Sequence, residues 1–337
     1  MIAHYDETVP SRIKTLTMLE NRIKYRHLQC FLEVTRQGSV VRAADVLALT
    51  QPAVSKKLKE LEDILGVRLL ERSKKGVELT SFGRVFLEHA STSVAALREG
   101  TEKISQAQKK GIVYLRIGVL PTVATSVLPK AVERFRVNNL DVRLHLVSGA
   151  NSSLMSLLRI GELDLVVGRL GVPETMSGLS FQHLYSEQVM FAVRPNHPLL
   201  NKTNFHIKDI SNYTVLYPPT GSITAPYVDR FLLSQGVSSI EDRIDTISDS
   251  FGKEFIRHSD AVWIISRGVI AREVSDGELA ALPVDSKETL AAVGLTTRAD
   301  SHSSMALKHF MLSVEETAKT LDSYYKPSTQ NREYTAI

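Results

Sequence analysis

Residues 39–80, SVVRAADVLALTQPAVSKKLKELEDILGVRLLERSKKGVELT, constrain the fold more tightly than any other stretch. Two short amphipathic helices, a tight connection and a basic hairpin are packed into about forty residues. In the second helix Thr50 is placed to cap, because its hydroxyl can accept from a free first-turn amide. Pro52 falls in that first turn, where its missing N–H costs little. Val54, Leu58, Leu61 and Leu65 then recur at spacings of four, three and four, which marks a buried stripe. At 100° per residue Ser55, Lys56 and Lys59 lie on the opposite side, with Gln51 at the open N-terminal end. Taken by itself, such a face is equally that of an ordinary solvated helix.

The flanking residues supply context. Gly38 ends an earlier helix over about 26–37, whose buried side is Leu28, Phe31 and Leu32, and Ser39 is placed to cap the next. Ala43 and Ala44 are small enough for two helices to cross closely, and Leu47 and Leu49 are expected to pack against Val54. Three helices built around a helix-turn-helix result. Residues 68–72 and 77–79 follow as a hairpin with Ser73-Lys74-Lys75-Gly76 between them, a basic wing. A polar helix face beside a basic finger suits the major groove of DNA, where Gln reads adenine, Lys binds guanine or phosphate, and Ser bonds to either.

Residues 26–83, from Arg26-His27-Leu28 to Ser81-Phe82-Gly83, resemble the winged helix-turn-helix of LysR-type transcriptional regulators. The matching motifs are Ala43-Ala44, Gln51-Pro52-Ala53-Val54-Ser55, Leu61-Glu62 before Leu65-Gly66, and Leu79-Thr80-x-x-Gly83. The resemblance implies that Gln51, Pro52, Ser55 and Lys56 face the groove, while Arg42, Arg72, Lys74 and Lys75 meet phosphates. Thr50 and Lys59 complete the expected DNA-binding set. Charge agrees independently: residues 22–84 hold 13 Lys/Arg against 7 Asp/Glu, and the rest of the chain holds 28 against 30. A basic module on a slightly acidic remainder is the footprint of a protein that meets a polyanion at one end.

At 337 residues, with 43% hydrophobic and 23% charged residues, the chain suits a soluble protein of two or three domains. The single cysteine, Cys30, is expected as a small buried residue and excludes a disulfide-built fold. Residues 1–22 hold no apolar run, so neither signal peptide nor membrane anchor is expected, and a cytoplasmic location is. They are expected to form a poorly ordered extension ahead of a DNA-binding domain over 23–80.

From Thr80 to about Lys110 a helix of about thirty residues, roughly 45 Å long, carries a narrow seam of Phe82, Phe86, Val94, Leu97 and Ile104. So narrow a seam calls for a partner helix, and in LysR-type proteins this element (81–111) pairs with its twin. A dimer, and from it a homotetramer, is the expected state. Beyond residue 112 the pattern alternates strands (VYLRIGVL, VRLHLVS, LDLVVGRL, VMFAVR, TVLYPP, SSIEDRIDTIS, AVWIIS, ELAALPV, LAAVGLTTR) with helices near 126–137, 152–160, 227–235, 249–258, 267–273 and 303–324. The expected class is α/β overall: a winged helix-turn-helix, a long dimerisation helix, and over 112–325 a bilobed effector domain resembling periplasmic solute-binding proteins, with a tail at 326–337.

Ligands of such folds sit at strand C-termini and helix N-termini. That nominates Thr122, Thr125 and Ser126 after the first strand, Ser148 and Asn151 after the second, and Arg169 after the third. Thr220, Ser222, Ser250 and Phe251 come from the second lobe. Singly, each hydroxyl is as well read as a plain helix cap, and Arg169 as the partner of a structural carboxylate.

The effector half, in RIGVLPTV and IDTISDSFGKEFIRHSDAVWIISRGVIA above all, resembles the subgroup that controls protocatechuate degradation, the PcaQ-type regulators. This implies an activator induced by a carboxylated intermediate of aromatic catabolism. A sugar-linked subgroup, implying a galactose-type inducer, shares much of the pattern. Arg169 among helix-mouth hydroxyls favours a carboxylate. No phosphate loop and no metal-spaced His or Cys set is present, so neither an enzyme nor a cofactor is expected. A transported-solute receptor would share the bilobed half but not the basic head. The expected partners are double-stranded promoter DNA, a small-molecule inducer, a second copy of the chain, and RNA polymerase as a further contact, with no membrane.

Overall fold

The computed structural model describes residues 22–73, 76–108, 113–137, 141–299 and 304–325. The expected N-terminal extension, the wing-tip Lys74 and Lys75 and the C-terminal tail lie outside the described residues, save Arg22. The chain divides into two compact units, 1–111 with 159–162, and 112–158 with 163–337.

The first unit opens with α1 (Tyr25–Gln37), α2 (Val40–Val46) and α3 (Gln51–Leu65). Gly38 closes α1 at φ 61°, Ser39 accepts from the Arg42 amide to open α2, and Thr50 accepts from the Ala53 amide to open α3. Phe31, Leu32, Leu61 and Leu69 form one side of the core; Cys30, Val34, Ala43, Ala44 and Val54 form the other. The buried stripe of α3 also includes Ile64, while Leu58 and Leu65 are half-buried. Leu47 packs against the second cluster, but Leu49 stays exposed, against expectation. The chain reverses at Ala48, whose φ of 52° is left-handed, and that reversal leaves Leu49 outside the core.

The wing pairs β1 (Leu70–Ser73) antiparallel with β2 (Gly76–Leu79), Leu70 opposite Leu79 and Ser73 opposite Gly76. Three polar groups anchor it. The Glu62 carboxylate accepts from the Leu69 and Leu70 amides at 2.8 and 3.1 Å, and the Val77 amide donates to Gly38 at 3.0 Å. The Thr80 hydroxyl donates to the Arg68 carbonyl and accepts from the Gly83 amide. A Cβ on Gly83 would stand 2.0 Å from the Leu69 carbonyl oxygen, so only glycine lets the next helix start there.

That helix, α4 (Ser81–Gln108), runs 28 residues. Its apolar residues fall into a buried set and an exposed set. Ala90 and Val94 are buried, with Phe86 edge-on to Phe31 at 5.3 Å. Phe82, Val85, Leu97 and Ile104 remain exposed.

The second unit holds two five-stranded sheets. In the first lobe β3 (Val113–Val119) runs parallel to β4 (Val142–Ser148) and β5 (Leu165–Arg169), and β12 (Ala291–Arg298) returns antiparallel between β5 and β6 (Leu179–Glu187). In the second lobe β8 (Val215–Tyr217) runs parallel to β9 (Arg243–Asp245) and β10 (Val262–Ser266). There β7 (Val189–Val193) lies antiparallel to β10 and to the short β11 (Ala280–Ala281). The chain passes from lobe to lobe at Gln188 and back along 282–291. Sequence patterning gave no strand over 179–187. β6 is an edge strand whose alternation breaks at a bulge opposite Val293/Gly294, and most of its side chains are not buried.

The helices are α5 (Pro121–Ala124), α6 (Leu128–Arg136), α7 (Asn151–Arg159), α8 (Ala225–Ser234), α9 (Asp249–Arg257), α10 (Arg267–Ser275) and α11 (Met305–Tyr325). The helix expected near 126–137 is preceded by the separate single turn α5. Phe135 and Phe310, 5.3 Å apart and edge-to-face, lock α6 to α11 over the first sheet. Phe191, Val215, Phe231 and Val262 centre the second lobe.

Candidate functional site

Two sites emerge, one in each unit. On α3 the buried stripe turns Gln51, Pro52, Ser55, Lys56 and Lys59 outward, and all five are exposed. Arg42 and Thr50 are exposed beside them, Thr50 with its hydroxyl used as the cap. Lys57 points elsewhere, to Glu60 at 2.7 Å, and His27 meets the same carboxylate at 3.1 Å. Hydrogen bonds from Lys57 and His27 hold Glu60 below the usual carboxylate range. On the outward face Lys56 and Lys59 make no ion pair among the described residues. Arg72 lies on β1 opposite Val77, at the edge of the same unit.

The second site is a cavity of about 370 Å³ between the two lobes. It falls within the usual size range of small-molecule pockets. Thr122, Ser148, Asn151, Arg169 and Ser222 line it, as does much apolar surface. The other five nominated residues do not. Thr125 donates to the Gly268 carbonyl and Ser126 to that of Thr122, because α5 ends after one turn and its exit packs against the start of α10. Thr220 is exposed on a turn. Ser250 sits 3.3 Å from the Ser248 hydroxyl, and Phe251 stacks on Phe255, since the second and third residues of α9 point away from the cavity. Thr246, Ser248, Asp249 and Ser266 line it instead.

Arg169, at the last position of β5, is only 1% exposed. Its Nη2 donates to the Ser266 hydroxyl at 3.1 Å and stands 3.9 Å from Glu187. Among the described residues Nε and Nη1 have no hydrogen-bond partner. Glu187 sits where the chain crosses between lobes; its carboxylate accepts from the Thr122 hydroxyl and the Gly268 amide. Burial pushes Glu187 above the usual carboxylate range, against the pull of Arg169. Across the cavity, Asp249 opens α9 with Oδ1 buried and unpartnered. Burial raises its pKa as well, Lys253 opposing and Glu273 reinforcing. A buried guanidinium with two unmatched nitrogens is costly unless an anion takes them. Sequence reasoning had no handle on Glu187 or Ser266, which gain meaning only from the return of the chain, and it pointed to the 248–252 loop without singling out Asp249. Among the described residues no cluster of His, Cys, Asp and Glu could hold a metal ion, and no helix is long and apolar enough to cross a membrane.

The family model for the bacterial regulatory helix-turn-helix protein, lysR family, matches residues 25–84. The model for the LysR substrate binding domain matches 114–319, more than half the chain. The chain belongs to the LysR family. It is therefore a DNA-binding transcriptional regulator with an effector-binding domain. The regulator is 47% identical over 304 residues to the transcriptional regulator PcaQ of Agrobacterium fabrum, covering 90% of this chain and 98% of that one. It is 33% identical over 285 residues to the uncharacterised regulator YdcI of Escherichia coli, covering 85% and 92%. Its fold is shared with CbnR, a LysR family transcriptional regulator (TM-score 0.53, 19% identity, 88% of this chain and 99% of that one). The same holds for full-length OxyR from Pseudomonas aeruginosa (TM-score 0.54, 20% identity, 87% and 97%).

Proposed function

We propose that this LysR-family regulator controls promoters of aromatic catabolism and takes as inducer a carboxylated intermediate of the protocatechuate pathway. The observation that carries the reading is Arg169, buried in the interlobe cavity with Nε and Nη1 unmatched by the protein. A carboxylate supplies acceptors for those donors and compensates the charge. The 47% identity to PcaQ supports the same assignment. A sugar inducer would use Ser148, Asn151 and Ser222. It would leave Nε and Nη1 of the guanidinium without a charged acceptor.

On the output side, Gln51, Pro52, Ser55, Lys56 and Lys59 of α3 face the major groove, and Arg42, Thr50 and Arg72 seat the head on the backbone. CbnR, of similar fold, has been solved with its target DNA. The exposed set of α4 (Phe82, Val85, Leu97, Ile104) pairs with that of a second copy, and the paired heads meet two half-sites. Pairs of dimers form the tetramer, and transcription is activated through RNA polymerase. Inducer on Arg169 pulls on the Arg169–Glu187–Gly268 contacts that join the lobes, and the resulting closure changes how the heads engage DNA.

The test is calorimetry on the full-length regulator with protocatechuate, carboxymuconate and galactose, in wild type and Arg169→Lys. The expected result is binding of a carboxylate that weakens in the variant, whose point charge cannot reproduce the planar fork. Binding of galactose alone overturns the assignment.

A further inference from the structure

We infer that the ligand of the interlobe cavity is a ring-sized monocarboxylate that carries a hydroxyl remote from its carboxylate. The inference rests on the cavity being the inducer site and goes on to name the chemistry of both ends of the ligand.

The two lobes present opposite charges to the same cavity. From the first lobe comes Arg169, nearly inaccessible to solvent, with Nε and Nη1 unmatched. From the second comes Asp249, whose Oδ1 is buried and likewise unmatched. Both residues line the cavity, and no other lining residue is charged. A carboxylate belongs at the Arg169 end. At the Asp249 end an acceptor without a donor calls for a ligand O–H or N–H.

A second carboxylate at that end is disfavoured by the surroundings. Lys253 is the nearest cation, and it is spent on Glu273 at 2.6 Å, both half-buried. Asp249, Glu273 and Lys253 together leave this wall negative, so a second ligand carboxylate meets repulsion. Between the two ends the walls are apolar: Leu120 and Pro121 from the first lobe, and Ile223, Ile247 and Ile264 from the second. Such walls suit a flat unsaturated ring better than a polyhydroxylated one, only some of whose hydroxyls Ser148, Asn151 and Ser222 could meet. A hydroxybenzoate satisfies all three regions; a ring-opened tricarboxylate satisfies one.

The experiment titrates the full-length regulator with 3,4-dihydroxybenzoate, benzoate and 3-carboxymuconate, in wild type and in Asp249→Asn. In wild type the dihydroxy acid should bind about tenfold or more tighter than benzoate, the ratio that a hydrogen bond to a charged acceptor supplies, and tighter than the tricarboxylate. In Asp249→Asn the advantage over benzoate should collapse. A wild type that prefers the tricarboxylate, or is indifferent to the hydroxyls, overturns the inference while leaving the cavity as a carboxylate site. No carboxylate binding at all removes the site assignment and the inference with it. The wild-type comparison stands even where the variant folds poorly.

Discussion

Nη2 of Arg169 stands 3.9 Å from the nearest Glu187 oxygen: close enough for charge to be felt, too far for a hydrogen bond. Both side chains are almost wholly buried. Replacing Glu187 with Gln has two opposed consequences, loss of a countercharge for Arg169 and relief of a desolvated carboxylate. The raised pKa of Glu187 says that relief is the larger. A raised folded pKa means the folded state holds its proton longer, so this residue's contribution falls as pH rises from the ordinary glutamate range of about 4.3. The stability of wild type relative to Glu187→Gln should therefore decline as pH rises above the ordinary glutamate range, as read by urea unfolding. Glu187→Ala should instead destabilise by about 1–3 kcal/mol, because the Gly268 amide and the Thr122 hydroxyl lose their acceptor.

Asp249 gives the ligand affinity its own pH dependence. Its carboxylate accepts more strongly from a ligand hydroxyl when ionised, and burial raises its pKa, with Lys253 and Glu273 as the charged groups beside it. Affinity for 3,4-dihydroxybenzoate should weaken as pH falls through that raised value, at a higher pH than an exposed aspartate would give. Titrations in Asp249→Asn should lose this dependence.

On DNA the head separates reading from holding. Gln51→Ala should cost about 1–3 kcal/mol on the cognate duplex and relax preference at one base position. Arg42→Ala, which removes a phosphate contact, should weaken all duplexes alike and reduce the slope of log affinity against log salt by about one per head. Binding isotherms over a salt series, on cognate and scrambled duplexes, separate the two.

Gly83→Ala tests the join between wing and long helix. The added methyl meets the Leu69 carbonyl at 2.0 Å, backbone against backbone, with little room to yield. A loss of about 1–3 kcal/mol is expected from overpacking, visible as a lower thermal midpoint for the head, with the cavity's ligand affinity retained.

Much of the head was legible because local chemistry decides it. Thr50, Ser39 and Gly38 are caps whose roles follow from neighbours within four residues. Glu62 and Gly83, noticed only as parts of motifs, turned out to hold the wing through backbone contacts. The cavity was half legible: strand ends and helix starts pointed to Thr122, Ser148, Asn151, Arg169 and Ser222. Thr125, Ser126, Ser250 and Phe251 misled because a one-turn helix and a half-turn of rotation decide which hydroxyl faces inward. Glu187 and Asp249 escaped because a buried acid's importance depends on partners 65 and 81 residues away, as for Glu187, or on an oxygen with none, as for Asp249.

The most direct measurement follows promoter DNA binding by fluorescence anisotropy while 3,4-dihydroxybenzoate is titrated into the full-length regulator, wild type against Arg169→Lys. The ligand should shift the DNA-binding curve of wild type, and the variant should need about tenfold more ligand or more for the same shift. An identical ligand midpoint in the two proteins would contradict the role given to Arg169, and with it the link from cavity to DNA.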